Sequence, residues 1–243
     1  MEANTETQKE KEKEMILTKQ QIKRLLNESL KQDTIIHCDM DGVIADFNTG
    51  AVRGLNAMLD AAEQDITSIG SRKSQKAMIK IQDMLGGPNV RLPLEYQIDS
   101  HKLTKTMKYK IVGQDPGTFF RNLPPLEDGV NQLWPFITRT GYPVKVLSAP
   151  IGGEGPGGTA IDGKSDWIST HLAPQPIESI FVAAVEKQQF ALNDTGSPNI
   201  LIDDKESTIE EWTAAGGIGI LHETGNSAKT IATLSVILGT QLM

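Results

Sequence analysis

Between residues 144 and 238, short β-branched runs alternate with longer amphipathic stretches, and this alternation most limits how the chain can fold. Residues 144–147 (VKVL), 179–183 (SIFVA), 199–202 (NILI) and 217–221 (GIGIL) read as strands. Helical stretches separate or follow them, over 165–171, 208–215 and 227–238. Residues 34–38 (TIIHC) supply one more buried strand near the start. Strands that alternate with helices make parallel βαβ units, so the expected class is α/β with a parallel sheet. In such sheets ligands bind beyond the carboxyl ends of the strands. The residues that follow each strand are therefore where chemistry is sought.

The first strand runs into Asp39-Met40-Asp41-Gly42-Val43. Two carboxylates two residues apart can divide labour, one binding a cation or attacking an electrophile, the other moving a proton. A plain turn with Asp at capping positions is the competing reading. The strand at 144–147 ends in Ser148, whose hydroxyl can bond a phosphate oxygen or simply serve a turn. A glycine-rich loop is expected over 152–163, followed by Lys164 at the mouth of a helix, either neutralising an anion or standing in solvent. The strand NILI ends in Asp203-Asp204. Adjacent acids repel, more so when buried, and a divalent cation with oxygen ligands such as Mg²⁺ relieves that repulsion. The alternative is an exposed pair opening the next helix. Taken together, the acid pair, hydroxyl, lysine and second acid pair describe a Mg²⁺-dependent phosphate site.

This set resembles the four motifs of the haloacid dehalogenase (HAD) superfamily of phosphohydrolases, present as IIHCDMDGV, VKVLSAP, GKSDW and ILIDD over about residues 34–222. Within it the chain is most similar to the 5′(3′)-deoxyribonucleotidase family, on DMDGVIADF (39–47) and DPGTFFRNLPPLEDGV (115–130), with LSAPI, KSDWI and ILIDDK in support. The resemblance implies a three-layer, Rossmann-like core with a parallel sheet and a small helical cap inserted after the first strand. It implies that Asp39 attacks phosphorus and forms an aspartyl-phosphate, and that Asp41 protonates the leaving oxygen and then activates water. Mg²⁺ would be held by Asp39, the Asp41 carbonyl and Asp203, with Asp204 in support. Ser148 and Lys164 would hold the phosphoryl group. Phe119 and Phe120 match positions near the family's base pocket, although core packing is an equal reading for both. Expected substrates are small phosphomonoesters, nucleoside monophosphates first among them. The family's pattern differs at Ala149, where a second hydroxyl is common, and in the cap, which here has only Tyr96 and Tyr109 as aromatic residues.

The expected organisation is a charged tail over 1–17, a helix over 18–33 with Ile22, Leu25, Leu26 and Leu30 on one face, a core of 34–47 plus 119–243, and a cap over 48–118. Within the cap, helices are expected at 48–64 and 71–85, with helical character over 99–111; a further helix follows at 127–138. A net charge of −7 argues against duplex nucleic acid as a partner, and no run of eighteen apolar residues suggests a membrane span. With one cysteine and a Glu/Lys-rich start, a cytoplasmic protein is expected, and homo-oligomerisation is compatible with everything above. One rival has physical content. Residues 158–165 (GTAIDGKS) fit the phosphate loop of a P-loop NTPase, with ILIDD as its acidic strand. Against it, Gly158 lies ten residues beyond Ser148, and DMDGV is left without a role. Another HAD substrate, such as a sugar phosphate or a nucleic-acid end, and a non-enzymatic scaffold are the remaining alternatives. No His or Cys spacing suggests zinc.

Overall fold

The computed structural model describes residues 33–64, 91–94, 110–113 and 115–239. The expected tail, the N-terminal helix apart from Asp33, the cap helix at 71–85, Tyr96 and most of 99–111, including Tyr109, lie outside them. In chain order the strands are β1 (Ile36–Cys38), β2 (Val144–Ser148), β3 (Glu154–Gly155), β4 (Gly158–Thr159), β5 (Glu178–Phe181), β6 (Ile200–Asp203) and β7 (Ile218–Leu221). The helices are α1 (Phe47–Gln64), α2 (Pro116–Arg121), α3 (Trp134–Thr138), α4 (Ala160–His171), α5 (Glu206–Ala214) and α6 (Ser227–Leu238), with a 3₁₀ segment over Ala184–Phe190.

Five strands form a parallel sheet in the order β5-β2-β1-β6-β7. The α/β class with a parallel central sheet is thus as the alternation predicts. Period-two alternation then builds three layers. Ile36, Cys38, Val146, Ile200, Ile202 and Ile220 pack in one cluster with Trp134, Trp167 and Leu234 from the helices. Leu147 and Leu201, one residue out of phase, pack with Trp212 and Phe190 on the opposite side. Both faces of the sheet are covered, which is why β6 runs apolar through Ile200-Leu201-Ile202 rather than alternating. The three tryptophans are core residues, and each indole N–H reaches a backbone carbonyl: Trp134 to Ala173, Trp167 to Leu123 and Trp212 to Asn199.

Two local expectations change. The loop expected over 152–163 contains the β3–β4 hairpin, and α4 starts at Ala160 instead of near Ser165. A reciprocal cap sets that start: the Thr159 hydroxyl oxygen accepts from Asp162 N (3.2 Å), and Asp162 Oδ2 accepts from Thr159 N (2.7 Å). The helix expected over 127–138 opens as a π-helical turn over Gly129–Leu133 before α3. Pro135 has no N–H to continue a tighter ladder there. Among the described residues no helix is long and apolar enough to cross a membrane.

His37 occupies the second face of β1, edge-on to Trp212 at 5.4 Å and beside Phe190 at 6.1 Å. Neither ring nitrogen has a hydrogen-bond partner among the described residues. Burial, with a smaller push from Lys145, lowers its pKa from 6.5 to about 4. Below pH 6.5 the unfolded chain takes up a proton that the native protein refuses until about pH 4, so stability falls as pH drops through that window. At ~1.4 kcal/mol per pH unit, the loss between pH 6.5 and about pH 5 is roughly 2 kcal/mol. Urea unfolding of the wild type and His37→Leu across this range measures it: the variant should lack this part of the pH dependence, and equal slopes would contradict the assignment.

Candidate active site

Sheet order reverses around β1, and the crevice beyond the strand ends at such a reversal is where the acidic residues collect. Asp39 directly follows β1; its N–H donates to Ile202 O (2.9 Å), and its Oδ1 accepts from Met40 N (2.7 Å). Asp203 is the last residue of β6, so the β1–β6 pairing brings the two acids side by side. Gly42 turns the chain just after Asp41 with φ +80°, a conformation that favours glycine. It also leaves room, because a Cβ there would collide with the Asp204 carboxylate. Asp39, Asp203 and Asp204 each place a carboxylate oxygen within 4.8 Å of the others.

The Asp41 side chain leaves this cluster. Its Oδ2 receives the Lys164 ammonium at 2.6 Å, and the same ammonium donates to the Ser148 hydroxyl at 2.9 Å. Lys164 is fully buried and lies inside α4, about one turn past its start at Ala160, rather than at the helix mouth as expected. Its delivery depends on a close helix crossing: a Cβ at Gly163 would strike the Gly117 backbone of α2. That crossing sets the Lys164 ammonium 4.4 Å from the Phe120 ring centroid, a cation–π contact. The P-loop reading does not survive this arrangement. Gly158 sits in a two-residue antiparallel strand outside the main sheet, and residues 160–165 are helix.

A second buried lysine went unnoticed in the sequence. Lys187, in the 3₁₀ segment after β5, places its ammonium 2.7 Å from Asp203 Oδ2 and 3.0 Å from Asp39 Oδ1. It lies six residues past the end of β5, beyond the residues that directly follow that strand.

The electrostatics follow from crowding acids in a poorly hydrated crevice. Burial, then the charges of Asp39, Asp203 and Asp41, push the Asp204 carboxyl up to about 8. Burial and Asp39 also raise Asp203, against the pull of Lys187. Burial raises Asp41, Lys164 opposes the rise and Asp39 adds to it. Burial disfavours the Lys187 charge, but Asp39 and Asp203 outweigh it and raise that pKa. Among the described residues the three carboxylates of the cluster thus meet a single ammonium, and the surplus negative charge suits a cation. An all-oxygen donor set of this kind fits Mg²⁺. Asp41 Oδ1 is buried without a partner among the described residues.

The two candidate base-stacking residues occupy different positions. Phe120 is completely buried under Lys164 and has no free face, so its place is in the core. Phe119 is half-buried and packs edge-on against Phe120 (5.1 Å) and Phe47 (5.7 Å). Asp46 caps α1, its carboxylate accepting from Thr49 N (2.9 Å) and Thr49 Oγ1 (2.6 Å).

No family model and no curated protein matches the chain. Solved structures that are similar include a haloacid dehalogenase-like family hydrolase from Xanthomonas campestris, 14% identical, covering 86% of this chain and 93% of that one with a TM-score of 0.47. A HAD family hydrolase from Deinococcus radiodurans with bound phosphate and sodium is 17% identical, covering 84% and 88%, with a TM-score of 0.42. A hydrolase from Streptococcus pneumoniae is 12% identical, covering 84% and 100%, with a TM-score of 0.43.

Proposed function

We propose that this protein is a Mg²⁺-dependent phosphomonoester hydrolase of the HAD type that works through an aspartyl-phosphate, with deoxynucleoside monophosphates as its preferred substrates. One observation carries the reading: two carboxylates of a single turn, Asp39 and Asp41, are each gripped by a different buried lysine. That asymmetry separates a nucleophile from a proton carrier. Asp39 stands with Asp203 and Asp204, which together would hold Mg²⁺, and beside Lys187, whose ammonium would position the attacking oxygen. When bound there, Mg²⁺ supplies positive charge that offsets repulsion between the carboxylate and the phosphate.

In this mechanism an Asp39 oxygen attacks phosphorus, the ester P–O bond breaks, and the leaving oxygen takes its proton from Asp41. Lys164 occupies Asp41 Oδ2, which leaves Oδ1 as the oxygen that carries the proton. The raised pKa of Asp41 suits a carboxylic acid acting near neutral pH. The resulting carboxylate then takes a proton from water, which attacks the phosphoryl group and frees Asp39. The Lys164 ammonium and Ser148 hydroxyl, 2.9 Å apart, hold the phosphoryl oxygens. Residues 48–118 act as the cap that excludes water and selects the leaving group. Of that segment, α1 is braced by Asn56, which exchanges hydrogen bonds with Leu92 O (2.9 Å) and N (3.0 Å). Phe119, half-buried on α2, offers an aromatic surface for the base.

Phosphate release from a panel of deoxy- and ribonucleoside monophosphates, sugar phosphates and ATP, with Mg²⁺ and with EDTA, tests this. Release from deoxynucleoside monophosphates that EDTA abolishes is expected. Release from other monoesters alone would discard the nucleotidase assignment, and EDTA-resistant release would discard the cation's role.

A further inference from the structure

The β7–α6 loop is tied to the site at two points and to the helix behind it at a third. His222 N donates to the backbone carbonyl of Asp203 (2.8 Å), extending the β6–β7 ladder to the residue that carries one carboxylate of the cluster. The Thr224 hydroxyl donates to Gly42 O (2.7 Å), across 182 residues of sequence. Ser227 N, in the first turn of α6, donates to Asp128 Oδ2 (2.8 Å), and the buried His222 Nδ1 lies 2.8 Å from the Thr230 hydroxyl. The loop is therefore a fixed brace, and Thr224 is its contact with the Asp39–Asp41 turn.

Gly42 is the pivot of that turn. Its N–H donates to Ala45 O (2.9 Å), its carbonyl receives Thr224, and its Cα lies flush against the Asp204 carboxylate. Orientation of the Gly42–Val43 peptide and placement of Asp204 thus depend on the same few atoms. We propose that Thr224 is a positioning residue for the cation site, holding the Gly42 turn against Asp204 so that Asp39, Asp203 and Asp204 keep the spacing a divalent cation requires. The inference rests on the cation site of the proposed function, but not on the hydrolysis. Without the hydroxyl, Gly42 O loses its donor and the turn can drift from Asp204. The three carboxylates then relax apart under their mutual repulsion, and binding must draw them together again. Groups that orient ligands without touching the ion commonly change metal affinity by ten- to a hundred-fold.

The test is calorimetric titration of the full-length protein with Mg²⁺ alone. Thr224→Val keeps the shape and removes the hydroxyl, Thr224→Ser keeps the hydroxyl, and Asp203→Asn marks loss of the site. Thr224→Val is expected to bind Mg²⁺ about tenfold more weakly, with Thr224→Ser close to the wild type. Thr224→Ala stands in if the valine variant does not fold, and the metal-free unfolding midpoint of each variant separates positioning from general damage. Wild-type affinity in Thr224→Val would overturn the proposal, as would equal weakening in Thr224→Ser or a wild type that takes up no Mg²⁺. Weakened binding in a protein that turns over no monoester would leave Thr224's role standing and remove the hydrolase reading; unchanged binding in an active enzyme would do the reverse.

Discussion

Asp39→Asn is expected to lower phosphate release from every monoester the wild type turns over by about 10⁴-fold, the scale on which loss of a covalent nucleophile acts. The substitution is nearly isosteric. The amide oxygen can still accept from Met40 N, as Asp39 Oδ1 does at 2.7 Å. The amide is a far weaker nucleophile and carries no charge for Lys187, 3.0 Å away, to orient. Folding should not suffer, because Asp39 is among the charges that raise Asp203 and Asp204. Removing it relieves repulsion, while Lys187 keeps its 2.7 Å contact with Asp203. Phosphate-release kinetics, paired with urea unfolding in EDTA, check both halves. An active, well-folded Asp39→Asn would exclude the aspartyl-phosphate and move the nucleophile elsewhere; an inactive variant with a much lower unfolding midpoint would remove the support.

The α/β architecture was legible because it rests on period. Ile200-Leu201-Ile202 cannot be amphipathic as a strand, and a strand apolar on both faces must lie between two layers. The acid pairs were legible for a related reason, since carboxylates directly after such strands must face the crevice. What sequence could not supply was the destination of long side chains. Lys164 looked like a charge at a helix mouth because the Thr159–Asp162 cap, which starts α4 at Ala160, lay hidden among glycines. For Phe120, stacking and core packing read equally well, because nothing local reveals that the Gly117–Gly163 crossing brings Lys164 over its ring. Lys187 was missed altogether: Ala184–Phe190 shows neither strand nor helical period, and the partners of this lysine lie on β6 and just beyond β1. Those three placements depend on contacts between segments far apart in sequence, and residue pattern carries no record of them.

Lys187→Met should have the largest effect on folding as well as on turnover. Its ammonium is the group that offsets Asp39 and Asp203 from within the cluster, with only 3% of its side chain exposed. Removing one partner of a buried ion pair commonly costs about 3–5 kcal/mol, because the other charge is left uncompensated. That cost should appear in metal-free protein and shrink when Mg²⁺ is added, since the cation then supplies the missing positive charge. The pH dependence has a definite sign. Asp204 already titrates near 8, far above the unfolded carboxyl value of 3.8, and losing Lys187 moves it further up. A carboxyl raised in the native state destabilises most above its native pKa and progressively less as pH falls and it takes up a proton. The deficit of Lys187→Met relative to wild type should therefore be largest above pH 8 and narrow steadily towards acid. Lys164→Met is the control. It too strips a buried partner from a carboxylate, but from Asp41, whose side chain faces away from the three-acid cluster, so Mg²⁺ should restore far less of its stability. Urea unfolding of both variants above and below pH 8, with Mg²⁺ and with EDTA, measures the contrast. Equal rescue of the two by Mg²⁺ would mean that Lys187 and the cation do not share the charge of Asp39 and Asp203, and the division of the site into a cation half and a proton half would fail with it.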